Sequence, residues 1–196
     1  MISFNKIFKN SLVLTTITLG LFFALYLYFS TNGSVTVQDY YIYSFMICCF
    51  IILPLYAIYC FITILNLSKA KAKIRQNNPE TGEYGEGLMT FKEGFKTGFY
   101  TIFFAGIMSL IVIFVFFNTY GEWAQDSLKQ GLLDTFTANM SDPKTAKDIE
   151  TFRNSDDYKT LNLFTTKNFF GLFSIFLSFY IAIAALFSQF LKKRVF

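Results

Sequence analysis

The chain alternates long apolar runs with shorter polar segments. Four runs contain no Asp, Glu, Lys or Arg, and they extend over Leu12–Phe29, Tyr40–Leu67, Phe99–Phe117 and Phe169–Phe190. A transmembrane α-helix needs about 20 mainly apolar residues to cross about 30 Å of hydrocarbon. Each run reaches or approaches that length, so the pattern predicts an all-α, polytopic membrane protein built as a bundle of four transmembrane helices.

The same pattern predicts how the chain is organised. We expect a single membrane domain over residues 1–196, with spans at about 11–30, 40–67, 98–118 and 168–191. An inner loop over 68–97 and an outer segment over 119–167 complete it. The first connection contains the turn signal Asn32-Gly33-Ser34 and is short, which predicts that spans one and two are antiparallel neighbours.

The basic residues predict an orientation. Eleven of the 17 Lys and Arg residues fall before the first span, in loop 68–97 or after the last span. Short loops rich in Lys and Arg stay on the cytoplasmic side, so both termini are expected in the cytoplasm and the chain in the inner (plasma) membrane. The net charge of +4 then reflects topology and attraction to lipid headgroups, and we expect the lipid bilayer, not nucleic acid, as a partner.

Composition argues against most catalytic and metal chemistry. The chain has no histidine, which removes the commonest general base and the commonest metal ligand. Its three cysteines, Cys48, Cys49 and Cys60, all lie inside the second run, where they are expected to be small buried hydrophobic residues. No catalytic residue, cofactor site or metal site is predicted. The one adjacent carboxylate pair, Asp156-Asp157, would be the candidate in a lipid-modifying enzyme.

Two local signals mark the helices. Pro54 lies near the middle of the second run, and an interior proline removes a helical hydrogen bond, which predicts a kink at this position. Thr90 precedes the third run with Glu93 three residues later, a pattern typical of a capping box at a helix start.

The outer segment contains the largest part of the chain outside the predicted spans. From Trp123 to Met140 its apolar positions recur at helical spacing, which predicts an amphipathic extracytoplasmic helix between spans three and four. Asp142-Pro143 marks a break, and Lys144–Arg153 is predicted as a second, polar helix.

Small residues recur at spacing four in three of the spans. Such residues share one helix face and allow two helix backbones to approach closely. We predict helix packing at these positions, with a hydroxyl-lined polar path as the alternative: Thr16, Gly20 and Ala24; Thr97, Thr101, Ala105 and Ser109; Ser174, Ser178 and Ala182.

The order of these parts resembles a known family. The segment Thr90-Phe91-Lys92-Glu93-Gly94-Phe95-Lys96-Thr97-Gly98 enters span three, an amphipathic outer segment follows, and the last span has Gly171 near its start and Lys192-Lys193-Arg194 at its end. This arrangement resembles the small four-span membrane-protein family catalogued as domain of unknown function number 4199, which is typical of Bacteroidetes-type bacteria. The resemblance implies a bacterial inner-membrane location and no assigned activity or functional residue.

Three functions remain open at this point. The leading hypothesis is a non-catalytic structural or assembly component that forms a homo-oligomer or joins a larger envelope complex, because the spans carry small-residue faces. A small transporter or pore acting as an oligomer is the first alternative, although the runs lack the ionisable residues that ion-coupled transport uses. A lipid-modifying membrane enzyme is the second.

Overall fold

The computed structural model describes residues 4–31, 37–77, 88–138 and 143–192. Its helices are α1 (Phe4–Thr31), α2 (Val37–Ile47), α3 (Leu53–Asn77), α4 (Phe91–Thr119), α5 (Glu122–Ala138), α6 (Pro143–Arg153), α7 (Asp156–Thr160) and α8 (Thr166–Leu191), with a π-helical turn, Cys48–Ile52, between α2 and α3. Four helical segments are long and apolar enough to cross a membrane. The predicted all-α architecture with four spans is confirmed.

Helix α4 lies at the centre of the bundle and packs against α8, α1 and α3. It runs parallel to α1, because Ser11 and Thr15 meet the α4 carbonyls of Thr101 and Ala105 in the same order. It runs antiparallel to α3 and α8. We call the end of the bundle that holds Phe4 and Leu191 the basic end, and the opposite end the α5 end.

Spans one and two are not the closely packed neighbours that the short connection predicts. Helix α2 packs mainly on α5 and only slightly on α1. The contact with α1 includes Phe29, whose ring lies 5.7 Å from that of Tyr40 and 5.6 Å from that of Tyr43. A short loop fixes the direction of the next helix but not its packing partner, and here α4 is the main partner of α1.

Span two is interrupted where proline predicts a disturbance. The π-helical turn ends directly before Leu53, whose backbone N–H donates to the Cys48 carbonyl five residues earlier. Pro54 has no N–H to donate to a preceding carbonyl, and a π-helical turn is one way in which a helix absorbs such a defect. The kink itself remains a prediction.

Helices α5, α6 and α7, between the spans α4 and α8, lie at the α5 end. The predicted amphipathic helix over Trp123–Met140 is present as α5, although Met140 itself lies outside the described residues. The predicted polar helix over Lys144–Arg153 is present as α6, and the short α7 was not predicted. Arg153 pairs with Asp134, which ties α6 to α5.

The predicted capping box at the start of α4 is confirmed. Thr90 accepts a hydrogen bond from the Glu93 backbone N–H, and the Glu93 carboxylate accepts from the Thr90 backbone N–H at 3.0 Å. The same carboxylate pairs with Lys71 near the end of α3. Glu93 therefore both caps α4 and joins the basic ends of α3 and α4.

Candidate functional site

Four hydroxyl groups from the four spans meet in the middle of the bundle. Thr18 of α1 lies 3.5 Å from the hydroxyl of Tyr56 in α3, and the Tyr56 hydroxyl also faces Ser109 of α4 and Tyr180 of α8. All four residues are buried. We call this group the hydroxyl cluster.

The cluster lies near membrane mid-depth. Thr18 and Tyr180 are close to the midpoints of α1 and α8, so each has about 20 Å of helix on either side. The apolar runs contain no Asp, Glu, Lys or Arg, so hydroxyl groups are the main polar side chains that the spans contribute at this level.

Packing holds the two tyrosines in place. The rings of Tyr56 and Tyr180 stack with centroids 5.4 Å apart and planes 9° apart. Gly106 of α4 faces Tyr180, and a Cβ at that position would overlap the Tyr180 hydroxyl. Gly106 therefore provides the space in which the Tyr180 hydroxyl lies against α4.

The hydrogen bonds of the cluster are incomplete. The Thr18 hydroxyl donates to the Leu14 carbonyl at 2.9 Å, so its single proton is not available to Tyr56. Ser109 faces Tyr56, yet its Oγ makes no hydrogen bond of standard geometry although the residue is only 3% exposed. A buried polar atom without a partner costs free energy, and such a group is commonly satisfied by an ordered water or a polar ligand atom.

The π-helical turn of span two lies beside the cluster. Ile52, its last residue, packs against the buried group that contains Tyr56 and Tyr180. Interrupted helices at membrane depth recur at binding sites of membrane proteins, and π-helical turns recur at functional sites. The cluster offers hydroxyl groups as hydrogen-bonding partners and no side-chain charge for an ion.

The three predicted small-residue faces differ in where the structure places them. The α4 face is buried inside the bundle, and its members are Thr97, Thr101, Ala105 and Ser109. The other two faces are exposed on the outside of the chain; they comprise Thr16, Gly20 and Ala24 on α1 and Ser174, Ser178 and Ala182 on α8. Only the α4 face packs against other helices of the same chain, and a packing role for the other two remains a prediction.

This placement bears on the predicted alternatives. Thr101 and Ser109 are buried whereas Ser174 and Ser178 face outward, so these four hydroxyls do not line a common path within one chain. The carboxylates of Asp156 and Asp157 lie in the first turn of α7, where acidic residues stabilise the helix N-terminus. No group of metal-ligating side chains is found within the described ranges.

Sequence reasoning missed part of the cluster. It singled out Ser109 but not Thr18, Tyr56 or Tyr180. The hydroxyls of α1 that face the bundle are those of Ser11, Thr15 and Thr18. Their spacing is as regular as that of the exposed small-residue face of α1. The signal was present in α1, but spacing alone does not say which of two faces is buried.

Together the fold and the central cluster define a multi-pass α-helical membrane protein. The family model described as protein of unknown function (DUF4199) matches residues 9–193 of the 196-residue chain, and the chain belongs to this family. No curated protein and no solved structure shows significant similarity to it.

Proposed function

We propose that the protein is a non-catalytic inner-membrane assembly component that associates with copies of itself, the small-residue face of α1 packing against that of α8 in the next copy. The observation that carries this proposal is the outward direction of both faces. Gly20 and Gly171 have no atom within 4 Å of a Cβ built on them, so the surface beside each is open to a second helix. In lipid, small residues promote helix association because they let backbones approach closely.

The two faces overlap in depth, because α4 contacts both helices. The ring of Phe22 in α1 lies 5.5 Å from that of Phe116 in α4, and the ring of Phe114 in α4 lies 4.8 Å from that of Phe169 in α8. Since α1 runs parallel to α4 and α8 runs antiparallel to it, these contacts place Gly20 within about one helical turn of the level of Gly171.

This correspondence favours a particular assembly. Copies in one bilayer cross at the same depth, so the α1 face of one copy meets the α8 face of another in antiparallel register, small residue against small residue. Such a contact uses two different surfaces of each copy. Heterologous contacts of this kind generate closed rings or open chains rather than simple two-fold dimers.

Disulfide cross-linking in membranes tests the assembly. In a background with Cys48, Cys49 and Cys60 replaced by Ala, the double variant Gly20→Cys with Gly171→Cys is expected to form a ladder of covalent oligomers. Each single variant should remain a monomer. Cross-linking by Gly20→Cys alone would show an α1–α1 dimer and overturn the proposed contact, and monomers throughout would overturn self-association.

A substitution without cysteine provides an independent measurement. Gly20→Leu fills the open surface of α1 and is expected to shift the protein toward monomer in cross-linking and size-exclusion experiments. The matched control is Val112→Leu, which enlarges an exposed side chain on α4 outside both faces. An equal oligomer fraction in both variants would contradict the proposal.

The orientation is part of the proposal. Lys9, Lys69, Lys96 and Lys192 lie near the basic end, which supports placing that end and both termini on the cytoplasmic side. An impermeant thiol reagent added to intact cells is expected to modify Tyr120→Cys, at the α5 end, and not Lys69→Cys. The reverse pattern would overturn the orientation.

A further inference from the structure

We propose that α2 and α5 form a lid at the α5 end of the bundle, which opens about the π-helical turn and admits water to the hydroxyl cluster. The lid does not depend on self-association, and the division of the tertiary contacts supports it. Helix α2 packs chiefly on α5, and α5 packs chiefly on α2, whereas α1, α3, α4 and α8 pack on one another.

The two lid helices are fitted closely together. Gly131 of α5 lies directly against the Tyr41 side chain of α2, where a Cβ would overlap it. Trp123 of α5 and Tyr40 of α2 have ring centroids 5.1 Å apart. These contacts favour movement of the two helices as one unit.

Each lid helix joins the bundle through a connection suited to a hinge. Helix α2 continues into α3 through the π-helical turn at Cys48–Ile52 and then Pro54, where the regular helical hydrogen bonding is interrupted. Helix α5 follows α4 after only Tyr120 and Gly121. Hinges in proteins are typically a few residues at the ends of helices that absorb backbone rotation.

An aromatic layer separates the lid from the cluster. Tyr40 and Ala124 of the lid pack with Phe29, Phe116 and Phe117 of the bundle in one buried group. The cluster residues Tyr56 and Tyr180 belong to a second buried group, nearer the basic end. Movement of α2 and α5 removes Tyr40 and Ala124 from the layer and opens a route from the α5 end.

The cluster itself supplies a reason for opening. With the lid closed, Ser109 Oγ is buried without a hydrogen bond. Water that enters from the α5 end satisfies Ser109 and the tyrosine hydroxyls, which offsets part of the cost of separating the aromatic layer. Thr101, two turns nearer the basic end on α4, already donates to the Thr97 carbonyl at 2.8 Å and gains nothing from hydration.

Cysteine modification in lipid nanodiscs tests the lid, because thiol reagents require water access. The chain carries Ser109→Cys, with Cys48, Cys49 and Cys60 replaced by Ala. A lock is added by Gln125→Cys with Leu163→Cys, since the Gln125 side chain accepts a hydrogen bond from the Leu163 backbone N–H at 2.8 Å. This pair joins α5 to the segment that leads into α8.

Modification of residue 109 is followed by mass spectrometry with the lock oxidised and with it reduced and desalted. We expect the rate to fall by at least about tenfold when the lock is oxidised, because opening limits access to a buried site. Tyr120→Cys should react equally in both states, since Tyr120 is exposed outside the lid. Thr101→Cys, buried like Ser109, should remain unmodified.

Three results would overturn the lid. Equal rates at residue 109 in the oxidised and reduced states would show that access does not depend on α5. Absence of any modification at residue 109 in the reduced state would show that the lid does not open. Modification of Thr101→Cys as fast as that of Ser109→Cys would show that water enters from the basic end.

Discussion

In the basic half of the bundle, Ser11 and Thr15 of α1 meet backbone carbonyls of α4, and Gly98 of α4 lies against Ile64. In the α5 half, the same two helices meet through rings: Phe22 of α1 lies 5.5 Å from Phe116 of α4, edge to face. In the basic half, small side chains and hydroxyls hold α1 to α4 together with one ring pair, Phe4 and Phe104, whereas in the α5 half the contacts between the two helices are aromatic.

The difference follows from what lipid does to helix packing. Lipid tails are as apolar as the side chains, so helices associate through close van der Waals contact and hydrogen bonds rather than through removal of water. Small residues achieve this by bringing backbones together. Aromatic rings achieve it across a wider gap, and the α5 half therefore has room for contributions from α2, α5 and Phe164.

The largest loss of stability is expected from creating a cavity in the aromatic half. Phe116 is buried and contacts the rings of Phe22, Phe23, Tyr26 and Phe117. Phe116→Ala removes roughly 100 Å³ from this group, and at about 24 cal/mol per Å³ of cavity the free energy of unfolding should fall by about 2–3 kcal/mol. Circular dichroism during titration from mild detergent into dodecyl sulfate measures it.

Phe190→Ala serves as the matched control for that variant. Phe190 is 77% exposed near the end of α8, so the same change removes lipid contacts instead of internal packing. Its unfolding midpoint should be close to that of the unaltered chain. If both variants lose the same free energy of unfolding, Phe116 contributes no more to stability than a lipid-exposed ring. The proposed difference between the two halves would then be wrong.

Much of this architecture follows from the sequence. The four spans are visible because an uncharged run of this length has few other stable locations. The capping box at Thr90 and Glu93 is visible because it depends on residues three apart. Pro54 indicates where span two is disturbed, since proline lacks the N–H that the helix requires.

Other features depend on tertiary choices that spacing does not encode. Amphipathic periodicity predicts that α5 is a helix. It does not show whether the apolar face of α5 rests on the membrane surface or packs on α2. In α1, Thr16 and Gly20 form one small-residue face while Ser11 and Thr15 form another. The structure buries the second because α4 offers carbonyls to its hydroxyls. The form of the disturbance before Pro54, a π-helical turn, is likewise not specified by the proline.

A smaller effect is expected from crowding the basic half. A Cβ on Gly98 would lie 2.6 Å from Ile64 Cδ1 and 2.9 Å from Cys60 Sγ. Gly98→Ala therefore forces α3 and α4 apart or displaces both side chains, and overpacking of this kind should reduce stability by about 1–2 kcal/mol. Thermal unfolding in detergent, followed by size-exclusion chromatography, measures the loss.

The control for this variant is Gly20→Ala, because a Cβ on Gly20 has no neighbour within 4 Å. Its thermal midpoint should not fall. If Gly98→Ala unfolds at the same temperature as Gly20→Ala, the two helices are less tightly packed than the structure shows, and close backbone approach would no longer distinguish the basic half.

The smallest effect concerns a single hydrogen bond between helices. The Ser11 hydroxyl lies 2.9 Å from the Thr101 carbonyl of α4 and 2.9 Å from the Ile7 carbonyl of its own helix. Ser11→Ala removes the link to α4, and hydrogen bonds between membrane helices contribute about 0.6 kcal/mol on average.

Ser174→Ala is the matched change, because Ser174 is exposed and donates only within its own helix, to Phe170. We expect a measurable loss for Ser11→Ala and none for Ser174→Ala in the same dodecyl sulfate titration. If the two variants lose equally, the hydroxyls of the basic half satisfy their own helices and do not hold α1 to α4, and close packing alone would then account for that half of the bundle.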